Sequence, residues 1–337
     1  MTLGELSPQD VGGPYFDELE RGQVFESSPT VTLTAGHAAL HQAIVGDRMR
    51  LPLDDALALE VAGTAPLAHP ALVWDMAIGQ STTATHRVVA NLFYRGLQFH
   101  STPRIGDTLR TRTEVVALRQ NSPKEGRRAT GLVALRVTTV DQRHQLVLDF
   151  WRCAMLPLRD EATRTGHADD LASVGAAGSS YATTAFDSWD LDALAAHDAG
   201  RRAAHELQPG QCWTVDGGDV VSSAPELARL TLNVAKVHHD AGHDGRRLVY
   251  GGHSIGVALA QTCRVLPNIV AVVAWHSCDH VGPVYEADTL HSRVEVEAVT
   301  PRSAGGALVQ LRSLVTAASA ERPSTPVLDW RFVVLHP

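Results

Sequence analysis

The chain has 337 residues, with 29 Lys plus Arg against 37 Asp plus Glu, a formal net charge of -8 and 44% hydrophobic residues. This composition predicts a soluble globular protein of two domains, since a domain typically holds roughly 100 to 200 residues, and it excludes disordered and fibrous classes. The acidic balance, without a run of basic residues, argues against binding to nucleic acid or to an anionic membrane surface.

Cysteine and hydropathy patterns narrow the class further. The four cysteines lack C-x-x-C spacing and the N-terminus is acidic, so we expect a cytoplasmic protein with no disulfide framework and no signal peptide. The longest apolar run, residues 269–275, is far shorter than the roughly 20 residues that span a bilayer. The sequence also has no phosphate-binding loop, which argues against a P-loop NTPase.

The predicted elements follow the same order twice along the chain. Helices are predicted over 35–45 and 69–80, followed by strands over 87–99, 108–119, 128–141 and 145–157. Helices are then predicted over 222–236 and 252–264, followed by strands over 269–278, 289–299, 306–318 and 326–335. Helices grouped before a run of adjacent strands favour an α+β fold, in which a long helix is wrapped by a curved antiparallel sheet.

Three short matches at a nearly constant offset indicate an internal duplication. Glu18–Phe25 returns as Glu206–Trp213, Asp107–Leu109 as Asp288–Leu290, and Val147–Phe150 as Val327–Trp330. The stretch between the halves is rich in Ala, Gly, Ser, Thr and Asp, as in a linker. We therefore predict an N-terminal unit over 1–160, a linker over 161–190 and a C-terminal unit over 191–337.

The second half contains a literal G-x-S-x-G motif, Gly252–Gly256, between a β-like and a helix-like segment. In an α/β-hydrolase Ser254 would be the nucleophile, and the rest of the triad would come from the acids and histidines that follow it. The candidates for those positions are Asp279, Asp288, His291 and His336. Such a serine should follow an alternating β/α sheet, which the duplicated unit does not provide, so a serine hydrolase is the alternative hypothesis.

A second constellation overlaps the first. Asn233 and His238 are five residues apart, and they can converge on one water if the chain leaves a helix after Asn233. Histidine is the base suited to neutral pH, whereas an asparagine can only orient the water. The Gly251-Gly252 turn that opens the next helix offers backbone N–H groups to a developing oxyanion. These groups are the parts needed to add water to an enoyl thioester.

With these motifs the chain resembles the MaoC-type hydratases, which have a double hot-dog fold. More narrowly, it is similar to the mesaconyl-CoA (2-methylfumaryl-CoA) hydratase branch, also called β-methylmalyl-CoA dehydratase. The likeness lies in Tyr15–Gln23, Val89–Leu92, Pro103 with Gly106–Leu109, Leu230–His238 and Arg246–His253. It covers both halves except the linker.

The resemblance implies an acyl-CoA hydratase or dehydratase that works as a homodimer without a metal or redox cofactor, with CoA as part of the substrate. It assigns the catalytic pair to Asn233 and His238 and the oxyanion glycine to Gly251, with Gly252 adjacent. Tyr250 and His253 are predicted to line the substrate pocket.

The first half offers an internal comparison. Asp47 there occupies the place of Asn233, but the histidine position is Pro52, and proline cannot transfer a proton. We therefore predict one active site per chain, with the first half shaping the acyl pocket. A double hot-dog module that binds thioesters without turnover is a further alternative.

One position departs from the pattern of the mesaconyl branch. Where that branch carries an arginine this chain has Asp279, so recognition of a second carboxylate must come from elsewhere. His253, His276 and Arg264 are the candidates.

The pair His37 and His41 has the i,i+4 spacing of metal ligands, but without a third ligand at a diagnostic spacing we expect no metal site.

Overall fold

The computed structural model describes residues 11–176, 181–197, 207–241 and 245–337. Its helices are α1 (Ala35–Val45), α2 (Arg50–Leu53), α3 (Asp55–Ala62), α4 (Pro70–Gln80), α5 (Leu191–Ala196), α6 (Ala224–Leu230) and α7 (Gly251–Val265). Its strands are β1 (Val24–Phe25), β2 (Val31–Thr32), β3 (Ala90–Phe99), β4 (Thr108–Gln120), β5 (Thr130–Val140), β6 (Leu146–Pro157), β7 (Cys212–Thr214), β8 (Asp219–Val220), β9 (Ala271–His280), β10 (Thr289–Pro301), β11 (Ala307–Ser319) and β12 (Arg322–His336). Within those ranges no helix is long and apolar enough to cross a membrane.

The strands form one antiparallel sheet that runs through both halves of the chain. Their spatial order is β1-β4-β5-β6-β3-β9-β12-β11-β10-β7, with β2 added to β4 and β8 added to β10. The halves join where β3 pairs with β9, in a register that sets Tyr94 opposite Cys278 and Leu97 opposite Trp275. The predicted α+β arrangement, with helices followed by a run of antiparallel strands in each half, is confirmed.

The duplication is visible in equivalent hydrogen bonds. Gln80 Nε2 on α4 donates to the Leu109 carbonyl at 3.2 Å, and Gln261 Nε2 on α7 donates to the Leu290 carbonyl at 2.9 Å. Both members of the second bond lie 181 positions after those of the first. Helices α4 and α7 are therefore equivalent elements, and each has its buried glutamine tied to the same strand of its own half.

The two halves share one hydrophobic core. Helix α4 is buried from Ala71 to Gln80, so it has no solvent-facing side over those residues. Trp74 on this helix lies 4.8 Å from Trp275 and 6.1 Å from Trp330 between ring centroids, and both partners belong to the second half. Tilted and edge-to-face contacts of this kind add to the burial of large apolar surfaces.

The predicted linker packs against the folded halves over much of its length. Phe186 and Trp189 are buried, with ring centroids 5.2 Å apart, and α5 follows directly and packs against α3. Residues 177–180 of this segment lie outside the described ranges. The unit boundaries at 160 and 191 stay a prediction, because one sheet and one core join both halves.

The helix predicted over 222–236 is much shorter than expected. Helix α6 ends at Leu230, Leu232 adopts a left-handed φ of 58°, and a 3-10 turn forms at Lys236–His238. The contact with α4 explains the break, because the Thr231 carbonyl packs directly against Gly79 of that helix. Helices α2 and α3 were not predicted.

We expect Gly79→Ala to disrupt this contact. A Cβ at Gly79 would lie 1.7 Å from the Thr231 carbonyl oxygen, a backbone atom that cannot rotate away. Overpacking of this kind typically destabilises a protein by about 1–3 kcal/mol. The free energy of unfolding, measured with urea, should fall by that amount.

Gly36→Ala in α1 is the matched control. A Cβ at Gly36 meets only Thr34 Oγ1, at an ordinary 3.6 Å, so the better helix former should leave the free energy of unfolding unchanged or raise it by up to about 1 kcal/mol. Equal behaviour of the two variants would contradict the close contact.

Candidate active site

His238 is held as a neutral base. Its Nδ1 donates to the Leu248 carbonyl at 2.8 Å, so the proton is on Nδ1 and the lone pair is on Nε2. Burial lowers the pKa of His238 to about 4, and the charges of His239 and Arg152 lower it further. The hydrogen bond to the Leu248 carbonyl acts in the opposite direction and raises it. At neutral pH the imidazole is therefore unprotonated at Nε2 and able to accept a proton.

Asn233 shapes the turn that leads to this histidine. Its side chain is buried, its Oδ1 accepts from the Ala235 amide at 2.9 Å, and its backbone carbonyl accepts from His239 Nε2 at 2.6 Å. Within the described ranges its Nδ2 has no hydrogen-bond partner, and no hydrogen bond joins Asn233 to His238. The two predicted catalytic residues thus share one turn without bonding to each other.

The segment carrying both residues packs against the first half. The Val234 amide donates to Thr82 Oγ1 at 2.9 Å, and the Lys236 amide donates to the His86 carbonyl at 2.9 Å. Thr82 lies in the 3-10 turn Ser81–Thr85, which directly follows α4. The site therefore lies between the halves, although its predicted catalytic residues belong to the second half alone.

Helix α7 begins beside His238 with two glycines. Tyr250 is its N-cap residue, and the Gly251 and Gly252 amides belong to the first turn, where the helix itself offers no acceptor. A Cβ on Gly251 would lie 2.6 Å from His280 Nε2, and one on Gly252 would lie 2.0 Å from Asp75 Oδ1. Glycine at both positions is required by these close approaches, and the exposed amides can bind an oxyanion.

Tyr250 lies against His238, the predicted catalytic histidine. Its ring centroid is 5.7 Å from that of His238, and its hydroxyl donates to Asp75 Oδ1 at 3.3 Å. Burial raises the pKa of Tyr250 well above its usual range, so the hydroxyl keeps its proton. Its position next to His238 agrees with the predicted place in the pocket.

The other predicted pocket residue, His253, is in the first turn of α7. Its side chain is fully buried, both ring nitrogens lack partners, and burial lowers its pKa to about 4 with a contribution from His41 in the first half. This placement favours a core position over the predicted pocket position.

The hydrolase hypothesis finds no geometric support. Ser254 is a buried residue inside α7, because the helix already starts at Gly251 and no strand-to-helix elbow precedes the serine. Within the described ranges no histidine or carboxylate hydrogen-bonds to Ser254.

Three residues around His238 were missed in the sequence. His280 stacks edge-on against Tyr94 at 5.8 Å, and its Nε2 is buried without a partner. Burial and the nearby His238 lower the pKa of His280 to about 4. Arg152 on β6 pairs with Tyr94 on β3 and is 3% exposed.

A signal for two of them was present in the repeat. At the offset of 181 His280 is equivalent to Phe99, and at the offset of 180 set by the Val147–Phe150 match Arg152 is equivalent to Phe332. At each of these equivalent positions one half has a polar residue and the other half has an aromatic residue. Such differences between the repeats are the sequence signal that points to these two residues.

Asp279 does not face His238. It alternates with His280 along β9, so its side chain lies on the opposite face of the sheet. Burial raises the pKa of Asp279, and its charged neighbours are Arg95, Asp329 and Arg331. The carboxylate therefore lies on the face of the sheet away from His238. Arg264, another candidate, is paired with Asp219 at 2.5 Å.

The first-half equivalent of the catalytic motif is a buried cluster of charge. His41 Nδ1 lies 2.6 Å from Asp47 Oδ2, His41 Nε2 lies 3.3 Å from Asp75 Oδ2, and His69 Nδ1 lies 3.3 Å from Asp47 Oδ1. Burial disfavours the charged form of His41, but the two aspartates outweigh it and raise its pKa to about 9. His41, Asp47 and His69 also offer ligand atoms within 4.8 Å of one another, a candidate metal group that the sequence did not predict.

Pro52, which has the position of the predicted catalytic histidine in the first half, lines an apolar pocket. Pro52, Phe99 and Val270 line it, and Phe186 and Trp189 from the predicted linker complete its wall. His238 and Tyr250 are not among its lining residues. The first half therefore has an apolar space where the second half has its polar site.

The buried histidines predict a maximum of stability near pH 6.5. The raised pKa of His41 adds stability that is complete below 6.5 and lost as the pH rises through about 9. The lowered pKa values of His69, His238, His253 and His280, each about 4, give stability that is lost as the pH falls from 6.5 to 4.

Urea unfolding from pH 4 to 9.5 measures this profile. His41→Asn should flatten the alkaline side and leave the acid side in place. A wild-type free energy of unfolding that stays level or rises between pH 6.5 and 9 would rule out the protonated His41.

The chain was then compared with known proteins, and no family model matches it. It is 30% identical over 290 residues to the mesaconyl-CoA hydratase of Cereibacter sphaeroides, covering 84% of this chain and 83% of that protein. It is 29% identical over 366 residues to the β-methylmalyl-CoA dehydratase of Chloroflexus aurantiacus, covering 98% of this chain and 99% of that protein.

Solved structures show the same architecture. A conserved Mycobacterium tuberculosis protein described as having a double hot-dog fold is 52% identical with a TM-score of 0.89, over 98% of this chain and 100% of that one. A putative MaoC domain dehydratase from Chloroflexus aurantiacus is 25% identical with a TM-score of 0.82, over 98% and 99% of the two chains. The predicted double hot-dog fold is confirmed, and the chain belongs to the MaoC-like double hot-dog family of hydratases and dehydratases, as a hydro-lyase.

Proposed function

We propose that the protein reversibly adds water to the double bond of a 2-enoyl-CoA thioester, with mesaconyl-CoA and β-methylmalyl-CoA as the preferred pair. The observation that carries the reaction type is the neutral His238, which lies beside the amides that open α7. Its Nδ1 is bonded to Leu248, and its Nε2 has no hydrogen bond among the described residues. The substrate names are those of the two curated relatives, and a related 3-hydroxyacyl-CoA is the alternative.

Hydration needs one base and one oxyanion site. His238 Nε2 takes a proton from water, the water oxygen bonds to the β-carbon, and the double-bond electrons move to the thioester oxygen as an enolate. The Gly251 and Gly252 amides and the positive end of the α7 dipole stabilise that charge. The enolate then collapses as the α-carbon takes the proton back from His238.

Asn233 supports this step through the water. Its Oδ1 is engaged by the Ala235 amide, which leaves Nδ2 to donate to the water oxygen and orient its lone pair. An amide cannot take the proton, so we assign that role to His238 alone. The protein supplies every group in this scheme, and we propose that no metal or redox cofactor takes part.

The division of the chain into two units is also part of the proposal, as are its location in the cell and its oligomeric state. We propose that the catalytic unit spans residues 191–337, with the degenerate unit 1–160 completing the pocket, since Tyr94 and Arg152 approach His238 from that side. A cytoplasmic homodimer follows from the family resemblance and the sequence composition.

His238→Ala should lower hydration by about 10²- to 10⁴-fold, the usual contribution of a positioned acid–base residue, and leave the circular dichroism spectrum unchanged. Loss of the enoyl-thioester absorbance of mesaconyl-CoA and crotonyl-CoA, with thiol release followed in parallel, measures the effect. Near-normal hydration by this variant would end the proposal.

Ser254→Ala is the matched control, because Ser254 lies in the adjacent helix and would be the nucleophile of a hydrolase. It should keep wild-type hydration. Thiol release by the wild-type protein that Ser254→Ala abolishes would establish the hydrolase, and binding of thioesters without either change would establish an inactive module.

The acid limb of kcat/KM should lie well below the ordinary histidine value. Because the pKa of His238 is lowered to about 4, the base stays unprotonated as the pH falls from 8 to 5.5, and hydration should stay level over that range. Initial rates at low substrate concentration measure it. An acid limb near 6.5 would contradict a buried, neutral His238.

A further inference from the structure

Arg152 is a buried cation at the boundary between the halves. Its Nη2 donates to the Ser81 carbonyl at 3.3 Å and to the Thr85 hydroxyl at 2.5 Å, while its Nε is buried without a partner. Among the described residues no carboxylate forms an ion pair with it. An unpaired buried charge is expensive, so a charge kept in such a place calls for an explanation.

Two other arginines of the same sheet, Arg136 and Arg312, have counter-charges. Arg136 lies 2.8 Å from a carboxylate oxygen of Asp149, and Arg312 lies 2.6 Å from one of Asp329. Both of these pairs are partly exposed, whereas Arg152 is 3% exposed. These two partly exposed arginines are paired, whereas the deeply buried Arg152 has no carboxylate partner among the described residues.

Stabilising the end of α4 does not account for the guanidinium. Ser81 and Thr85 follow this helix, and a cation there is favoured by the helix dipole. The equivalent position in the second half is Phe332, which pairs with Trp275 as Arg152 pairs with Tyr94. An aromatic residue thus suffices there, and the charge is special to the side that faces His238.

Arg152 and the catalytic segment meet at one turn. The 3-10 turn at Ser81–Thr85 accepts from Arg152, and the next residue, His86, accepts from the Lys236 amide. The guanidinium is close enough to His238 to act, after burial, as one of the charges that lower its pKa. Tyr94 and Tyr250 are its other electrostatic neighbours, so hydroxyl groups and the histidine surround it.

We propose that Arg152 binds the free carboxylate of a diacid enoyl-CoA and thereby makes the site selective for a diacid. This inference rests on the proposed hydration. In mesaconyl-CoA the carboxylate is attached to the β-carbon, the carbon that receives the water oxygen. A guanidinium fork on that carboxylate supplies the missing counter-charge and holds the β-carbon beside His238.

The test compares mesaconyl-CoA with 2-methylcrotonyl-CoA, in which a methyl group replaces the carboxylate. Wild-type kcat/KM should favour the diacid by about 10- to 100-fold, the value of charge-assisted hydrogen bonds. Arg152→Met should bring the ratio close to one by losing the diacid alone, and Arg152→Lys should give an intermediate ratio. Arg95→Met, which alters the neighbouring residue to Tyr94 on the opposite face of β3, is the matched control and should keep the wild-type ratio.

The other possible results distinguish a failure of the role of Arg152 from a failure of the proposed hydration. Equal wild-type rates on the two thioesters would overturn the role of Arg152 and leave hydration standing. So would an equal loss on both thioesters in Arg152→Met, since that marks a structural role. If neither is hydrated, the proposed function fails.

Binding to the wild-type protein tests the carboxylate site in a second way. It needs neither turnover nor a variant that must fold. Calorimetry would compare the saturated pair, 2-methylsuccinyl-CoA and 2-methylbutyryl-CoA. Tighter binding of the diacid by about 10-fold or more supports the carboxylate site, and equal affinities refute it.

Discussion

The active site depends on the close packing of helix α4 against the segment that carries Asn233 and His238. The Thr231 carbonyl lies where a side chain of residue 79 would be, so only glycine permits the approach. Hydrogen bonds from the Val234 amide to Thr82 and from the Lys236 amide to His86 then fix the backbone between Asn233 and the 3-10 turn of His238. A helix of one half and the turn that follows it thus position the segment of the other half that carries the proposed base, His238.

Burial decides which groups at this boundary are charged. Four histidines in dry surroundings are held neutral, among them His238 and His280, because the imidazolium would lose its hydration. His41 is the opposite case, since two aspartates contact its ring and outweigh the same penalty. Next to neutral His238, Arg152 is a fixed positive charge. A neutral base beside a fixed cation is suited to removing a proton from water near an anionic substrate.

The two halves have diverged from one plan at a few positions. Pro52 replaces the histidine, and Phe99 stands where the second half has His280. In the other direction, the first half has Arg152 where the second half has Phe332. In the proposed arrangement the first half has a proline at the histidine position and contributes Arg152 to the site of the second half, while Pro52 lines an apolar pocket.

The sequence by itself determined helices α1, α4 and α7, the order of the long strands along the chain, the duplication and the family, and it is the source of the proposed role of His238. Each of these rests on local periodicity or on a short motif, which survives without knowledge of distant contacts. The helix predicted at 222–236 was wrong, because the contact with α4 decides where that helix ends. Only the tertiary structure brought Tyr94, Arg152 and His280 to His238. Those residues meet through pairing of β3 with β6 and β9, and strand pairing across such separations leaves no local pattern in the chain.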